Sequence, residues 1–175
     1  MRDLVEQGRY PWVGSLRMLR RQDTEAIDRA IALVGLGALA DRDVDTLSGG
    51  ERQRAWLALA LAQETATLAL DEPTTFLDIG HQFEVLELVR RLNAERGVTV
   101  LMVLHDLNQA ATFADRLVVL DRGQVVASGE PWAVLDTDLL REVFGVRAAV
   151  VRDPVTDRPV IIPHASAARR AAGSG

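Results

Sequence analysis

One stretch, residues 46–78, constrains the fold of this chain more than any other. It begins with a Ser-Gly-Gly turn that opens a helix over residues 51–63, with Ser48 placed to cap the first free amides. Residues 67–70 are then too short and too apolar for anything but an inner β-strand, which the sequence Asp-Glu-Pro ends. The stretch therefore holds a glycine-rich helix start and an acidic strand end, the two places where α/β folds bind ligands.

The polar groups of this stretch suit phosphate and a hard cation. Backbone amides at a glycine-opened helix start, here Ser48, Gly49 and Gly50, attract phosphate. Asp71 and Glu72 follow the strand directly, where a magnesium ion and a base that activates water can bind. The alternatives are an ordinary capped helix start and two solvated acids. Because the glycine-rich helix start and the pair of acids occur together at this spacing, we favour binding of phosphate and magnesium over these alternatives.

Four motifs in this order resemble those of the ATP-binding cassette (ABC) ATPases, the motor subunits of membrane transporters. Residues 47–51 resemble the signature motif and residues 68–72 the Walker B strand. Residues 74–78 resemble the D-loop and residues 103–106 the switch histidine loop. It implies a P-loop NTPase-like ABC ATPase fold of the α/β class. That fold has a parallel sheet with flanking helices and a helical subdomain.

The resemblance also implies a role for each motif residue, with ATP and Mg²⁺ as cofactors. Glu72 would be the catalytic carboxylate, and His105 would contact the outer phosphate and help to hold the attacking water. Asp71 would hold the magnesium ion through water. The residues implied to bind the nucleotide are Ser48, Gly49, Gly50, Glu51, Asp71 and Asp78.

A compositional feature limits how much of such an ATPase the chain contains. All 20 basic residues are arginine, whereas a phosphate-binding P-loop needs a lysine to reach the outer phosphates. We therefore expect the chain to correspond to the carboxyl-terminal part of a cassette ATPase, truncated at the amino terminus, with Met1 inside the family's fold. The family's sheet order places the P-loop strand between the strand before His105 and the strand that begins at Leu117. Its loss would leave unpaired strand edges.

Hydrophobic periodicity predicts the remaining elements. An amphipathic helix over residues 23–34 has Ile27, Ala30, Ile31 and Val34 on one stripe and ends at Gly35. Asp78 caps a helix over 80–96, and the apolar run 98–104 predicts a strand covered on both faces. This strand–helix–strand order predicts a parallel sheet. Strands at 117–121 and 124–127 flank an Arg-Gly hairpin turn, and two further strands lie at 146–151 and 160–162.

We divide the chain into three segments. Residues 1–64 form the helical subdomain and the signature helix, 65–164 form the carboxyl-terminal part of the ATPase core, and 165–175 form a disordered tail. His81 and His164 have no motif context, so we assign them structural roles and no metal site.

Composition excludes several functional classes. Cysteine is absent, which excludes disulfides and thiolate metal sites. No leader or membrane-spanning run is present, so we expect a cytoplasmic protein, peripheral on the cytoplasmic face of the cell membrane. The net charge of −5 argues against binding nucleic acid by bulk electrostatics.

The resemblance implies that the chain is an ATP-binding and ATP-hydrolysing subunit of an ABC importer. Short phrases, among them Gly-Arg-Tyr-Pro at residues 8–11, resemble the ATPases of iron–siderophore and haem importers, and the transported substrate is expected to be an iron–siderophore complex. A second ABC ATPase subunit, forming a dimer, and a transmembrane permease would be the partners. We expect the truncated chain to be inactive alone. One alternative is a non-catalytic partner subunit that lends its signature motif in trans. Another is an ATPase-head lobe of a DNA repair or chromosome protein, which the absence of heptads before Thr46 disfavours.

Overall fold

The structure is a computed structural model that describes residues 1–13 and 18–167. The chain divides into two compact units, Met1–Val103 and Leu104–Gly175. The helices are α1 (Arg2–Glu6), α2 (Tyr10–Val13), α3 (Arg21–Leu33), α4 (Gly49–Ala62), α5 (Ile79–Arg96), α6 (Leu107–Phe113), α7 (Pro131–Val134) and α8 (Thr137–Glu142). The strands are β1 (Thr67–Asp71), β2 (Thr99–Val103), β3 (Leu117–Asp121), β4 (Gln124–Gly129), β5 (Val146–Arg152) and β6 (Pro159–Ser166).

Helices α1, α3 and α4 pack together to form the core of the first unit. The apolar stripe predicted for α3 is confirmed, because Ile27, Ala30, Ile31 and Val34 are all buried. Gly35 then takes a left-handed backbone with φ of 72°, which ends the helix as expected. A 3-10 turn at Gln7–Arg9, which contains Gly8, connects α1 to α2.

Strands β1 and β2 are parallel, and their register runs from Thr67 opposite Thr99 to Asp71 opposite Val103. This pairing confirms the predicted parallel arrangement. One face of the pair packs on the helical core through Leu68, while the other face leaves Leu101 64% and Val103 49% exposed. The sequence predicts that the strand at 98–104, here β2, is covered on both faces. Within the described residues that prediction is wrong.

The second unit contains two antiparallel pairs, β3 with β4 and β5 with β6. The predicted hairpin is confirmed, since Arg122 and Gly123 join β3 to β4 with φ angles of 48° and 78°. A small apolar core cluster in this unit contains Ala111, Leu135, Leu140 and Ile161 of β6.

Two boundaries differ from the sequence-based expectation. The compact units divide after Val103, whereas the sequence places a boundary after residue 64. The segments on either side of residue 64 belong to one unit because Leu57 of α4 and Leu68 of β1 share one core cluster. Strand β6 continues to Ser166, so the start predicted for the disordered tail at Ala165 is corrected. Ala165 and Ser166 pair with Arg147 and Val146 through the backbone, which needs no apolar side chain. Residues 168–175 of that tail lie outside the described residues.

Candidate functional site

The Ser-Gly-Gly turn forms a reciprocal capping box at the start of α4. The Ser48 amide donates to Glu51 Oε2 over 2.8 Å, and the Glu51 amide donates to Ser48 Oγ over 3.3 Å. The backbone amide and the hydroxyl of Ser48 together hold the pKa of the Glu51 carboxyl below its ordinary value. Ser48 and Gly49 are exposed, and amides of a first helical turn have no partner within their helix. The turn can therefore donate to an anion from outside.

Gly50 differs from its neighbour Gly49 because it is buried against α5. A Cβ atom at Gly50 would lie 2.6 Å from Cδ2 of His81, whereas a Cβ at Gly49 would meet no atom within 4 Å. Only glycine fits at Gly50 without displacing the imidazole ring. The sequence gives no sign of this contact, because the two residues are distant along the chain.

Asp71 and Glu72 lie side by side at the carboxyl end of β1 but differ in backbone conformation. Asp71 is exposed and pairs with Val103 as the last residue of the strand. Glu72 has a left-handed φ of 48°, a conformation that costs a non-glycine residue free energy and often occurs at functional sites. Glu72 therefore departs from the extended backbone of the strand that Asp71 ends.

The Glu72 carboxylate is held by the turn that follows it. Thr75 Oγ1 donates to Glu72 Oε2 over 3.0 Å, and the Thr75 amide donates to the Glu72 carbonyl over 3.2 Å. The Glu72 amide donates to the Val103 carbonyl, which fixes the turn to the end of β2. These bonds orient a half-buried carboxylate directly beside Asp71.

Asp78 caps α5, as predicted, through a hydrogen bond of 3.0 Å from the His81 amide to Asp78 Oδ1. The second oxygen, Oδ2, lies 2.6 Å from His81 Nδ1. The His81 amide, followed by the His81 side chain, lowers the pKa of the Asp78 carboxyl from its ordinary value. Through His81 the Asp78 carboxylate is thus linked to the glycine turn of α4.

His105 lies in the second unit, in the short connection between β2 and the cap of α6. Asp106 caps α6 by accepting from the amides of Asn108 and Gln109 over 2.8 and 3.0 Å. Asn108 exchanges two side-chain hydrogen bonds with the backbone of Ile161 in β6. These bonds fix the residues that immediately follow His105.

The donor chemistry of Asp71 is compatible with magnesium, although the described residues form no larger cage. Across residues 1–13 and 18–167, no group of three His, Cys, Asp or Glu side chains could hold a metal ion. A single exposed carboxylate at a strand end nevertheless suits magnesium, which keeps several waters and takes few protein ligands.

No helix in the described part of the chain is long and apolar enough to cross a membrane.

Comparisons with known proteins agree with these motifs. A family model described as ABC transporter matches residues 3–75. The ferric enterobactin transport ATP-binding protein FepC of Escherichia coli (strain K12) is 47% identical over 163 residues, which are 93% of this chain and 60% of FepC. The petrobactin import ATP-binding protein FpuD of Bacillus anthracis is 46% identical over 166 residues, covering 95% of this chain and 61% of FpuD.

Solved structures show the same fold. An inward-facing metal-chelate type ABC transporter superposes with a TM-score of 0.85 at 27% identity, over 94% of this chain and 66% of that chain. The ATP-binding cassette MJ0796, in a dimeric post-hydrolysis state with ADP and Pi, superposes with a TM-score of 0.60 at 28% identity. The match covers 73% of this chain and 56% of that chain. The chain spans about 60% of the length of the curated relatives named above. Motifs, relatives and fold agree, and the chain belongs to the ABC transporter family of ATP-binding proteins.

Proposed function

We propose that this chain is part of the ATP-binding and ATP-hydrolysing subunit of an ABC importer for iron–siderophore complexes. One observation carries the proposal: an exposed, capped glycine turn and an adjacent pair of strand-end carboxylates occur together in one compact unit. The similarity to proteins named for enterobactin and petrobactin transport supports the siderophore substrate.

In this function the turn Ser48–Gly49–Gly50 binds phosphate oxygens through the backbone amides that the capping box leaves available. Exposure of Ser48 and Gly49 supports contact with a nucleotide held by a second ATPase subunit. Glu51 stabilises the turn through the capping box, so it acts on the nucleotide through Ser48. Asp78 lies on the same surface because His81 links it to Gly50, and it would contact the second subunit.

Asp71 and Glu72 divide the hydrolytic chemistry between them. Asp71 would hold Mg²⁺, which when bound neutralises charge on the phosphates. Glu72 would accept the proton of the attacking water, and its hydrogen bond from Thr75 Oγ1 keeps the carboxylate in one orientation. His105 would contact the outer phosphate, and the hydrogen bonds to Asp106 and Asn108 would support its position.

The chain by itself is expected to bind ATP weakly and to hydrolyse it no faster than background. It contains no lysine to contact the outer phosphates, and that contact supplies much of the electrostatic stabilisation in P-loop enzymes. A transmembrane permease and a second ATPase subunit would complete the transporter, with this subunit on the cytoplasmic face of the membrane.

Amide resonances of the ¹⁵N-labelled chain test the nucleotide site directly. We expect millimolar Mg–ATP to shift the amides of Ser48 to Glu51 and those of Asp71, Glu72 and His105, with little effect elsewhere. The Ser48→Arg variant should lose the first group of shifts and keep the second, because its bulk and charge affect only the turn. Shifts that fall outside both groups would contradict the proposed site.

A parallel assay tests the expected inactivity. Phosphate release from Mg–ATP should be the same for the chain and for its Glu72→Gln variant, both at the background rate. Turnover by the chain that the Glu72→Gln change abolishes would show that the 175 residues already form a complete enzyme. That result would contradict the expected requirement for a lysine-bearing segment.

A further inference from the structure

The imidazole ring of His81 lies directly on the backbone of Gly50. An added Cβ at Gly50 would be 2.6, 3.0 and 3.2 Å from Cδ2, Cγ and Nε2 of that ring. Carbon atoms that are not bonded to each other pack at about 3.5 to 4.0 Å, so any larger residue must push the ring away. Gly50 therefore provides the space in which the ring sits.

On its Nδ1 side the same ring is held by Asp78. The Asp78 carboxylate accepts from the His81 amide through Oδ1 and lies 2.6 Å from His81 Nδ1 through Oδ2. Because both bonds join the same two residues, they fix the ring orientation relative to the first turn of α5. The ring is thus placed between the D-loop carboxylate and the backbone of the signature turn.

A second pair joins the two helices close to this contact. Arg54 of α4 forms an ion pair with Glu84 of α5 at 2.9 Å between Nη1 and Oε2. Their side chains are 25% and 54% exposed, and exposed ion pairs contribute little stability by themselves. The pair is a second link between α4 and α5, whereas the ring contact at Gly50 touches the turn itself.

We propose that His81 is a positioning residue, which couples the turn at Asp78 to the phosphate-binding turn Ser48–Gly49–Gly50. A displacement of Asp78 moves the ring, and the ring moves the backbone that it touches at Gly50. The proposal rests on the proposed function in one respect, namely that this turn binds phosphate. Sequence reasoning gave His81 only a structural role, because nothing in the sequence places it next to Gly50.

A double-mutant cycle in the full chain tests the contact, with Gly50→Ala, His81→Ala and the double variant. We expect Gly50→Ala to shift the resonances of the His81 ring and the Asp78 amide, and His81→Ala to shift the amides of Gly49 and Gly50. The loss of urea resistance in Gly50→Ala should be largely restored in the double variant, because the small side chain leaves room for the new Cβ. Additive effects would overturn the coupling.

Two further variants separate coupling from general destabilisation. Gly49→Ala is the matched control, since a Cβ there meets no atom within 4 Å, and it should leave the His81 resonances unchanged. His81→Asn keeps a side-chain donor for Asp78 but removes the ring, so it should tolerate Gly50→Ala without further loss. If Gly50→Ala alone fails to fold, the His81→Asn and Gly50→Ala combination still tests the coupling, and its failure to fold would overturn the proposal.

Titration with Mg–ATP tests the consequence for phosphate binding. Wild-type chain should show ATP-induced shifts at Gly49 and Gly50 that are smaller in His81→Ala and preserved in His164→Ala, the control that removes an exposed imidazole from β6. Equal shifts in wild type and His81→Ala would overturn the positioning role even if the contact is real. Absence of any ATP-induced shift in wild type would overturn the proposed function and, with it, a role for His81 in phosphate binding, whereas the cycle still reports the contact.

Discussion

Ser48 has two tasks at the residue scale, because it both ends an extended segment and satisfies amides of α4. Its hydroxyl accepts from the Glu51 amide, while its own amide binds the Glu51 carboxylate. The backbone amide is the larger cause of the lowered pKa of Glu51. A change of the side chain therefore removes one half of the capping box and leaves the stronger half in place.

We predict that Ser48→Ala lowers the free energy of unfolding by about 1 kcal/mol, the usual cost of losing a side-chain cap. Urea denaturation followed by helical circular dichroism measures the loss. Ser128→Ala, which removes an exposed hydroxyl from β4, is the matched control and should change stability little. Equal effects of the two changes would show that the capping bond seen in the structure contributes nothing.

The sequence predicts side chains whose partners lie within a few residues and misses those whose partners are distant. The caps formed by Ser48 and Asp78 are predicted correctly because the hydroxyl and the acid each bond an amide within the next turn. The left-handed backbone of Glu72 and the contact of His81 with Gly50 are not predicted. Both depend on how separate segments pack, and no local propensity encodes them.

At the scale of elements, a buried ion pair connects the start of the chain to α3 and to the end of α4. Arg9 and Asp23 are 6% and 0% exposed, and the guanidinium lies 2.9 Å from Asp23 Oδ1. Arg9 also donates to the carbonyl of Ala62 over 2.8 Å and to Glu64 over 3.2 Å. The hydrogen bond from the Arg20 amide, followed by that from Arg9, lowers the pKa of the Asp23 carboxyl despite its burial.

This lowered pKa predicts a specific loss of stability in acid. A carboxyl whose pKa is lower in the folded state stabilises the fold above its unfolded pKa of about 3.9. The contribution is lost as the pH falls through the folded value, so stability should decline below about pH 4. Urea unfolding at several pH values should give a shallower decline for Asp23→Asn than for wild type.

Two comparisons make the acid prediction specific. Glu25→Gln removes a carboxylate from the same helix, where Glu25 pairs with Arg21 in an exposed position, and it should keep the wild-type decline. At neutral pH, Asp23→Ala should lose more stability than the double change Arg9→Met with Asp23→Ala, because it leaves a buried guanidinium without its partner. A decline in Asp23→Asn as steep as in wild type would contradict the role given to this carboxyl.

Helices and turns could be predicted because capping residues and apolar stripes are local signals, whereas the coverage of strands could not. The apolar run before His105 indicates a strand with both faces covered. In the structure Leu101 and Val103 of β2 are both exposed. An apolar strand sequence predicts that both faces of the strand are buried. It does not predict whether the segment that covers them belongs to the same chain.

At the scale of the whole molecule, the described strands form three two-stranded sheets, where the family resemblance implies one larger sheet. The relatives FepC and FpuD are longer than this chain, which matches about 60% of each. Apolar side chains exposed on the sheets include Leu101 in β2, Val118 and Leu120 in β3, and Val125 in β4. Exposed apolar strands are typical sites of association between chains.

We therefore predict that the chain self-associates through its exposed strands, and that Leu101→Glu reduces this association. A charge in the exposed face of β2 opposes stacking against another apolar surface. Light scattering after size-exclusion chromatography should show an average mass that rises with concentration for wild type and rises less for Leu101→Glu. Val155→Glu is the matched control, because Val155 is 90% exposed in a turn and the charge change is the same. A concentration dependence equal in the two variants would mean that net charge alone, and not the uncovered face of β2, governs association.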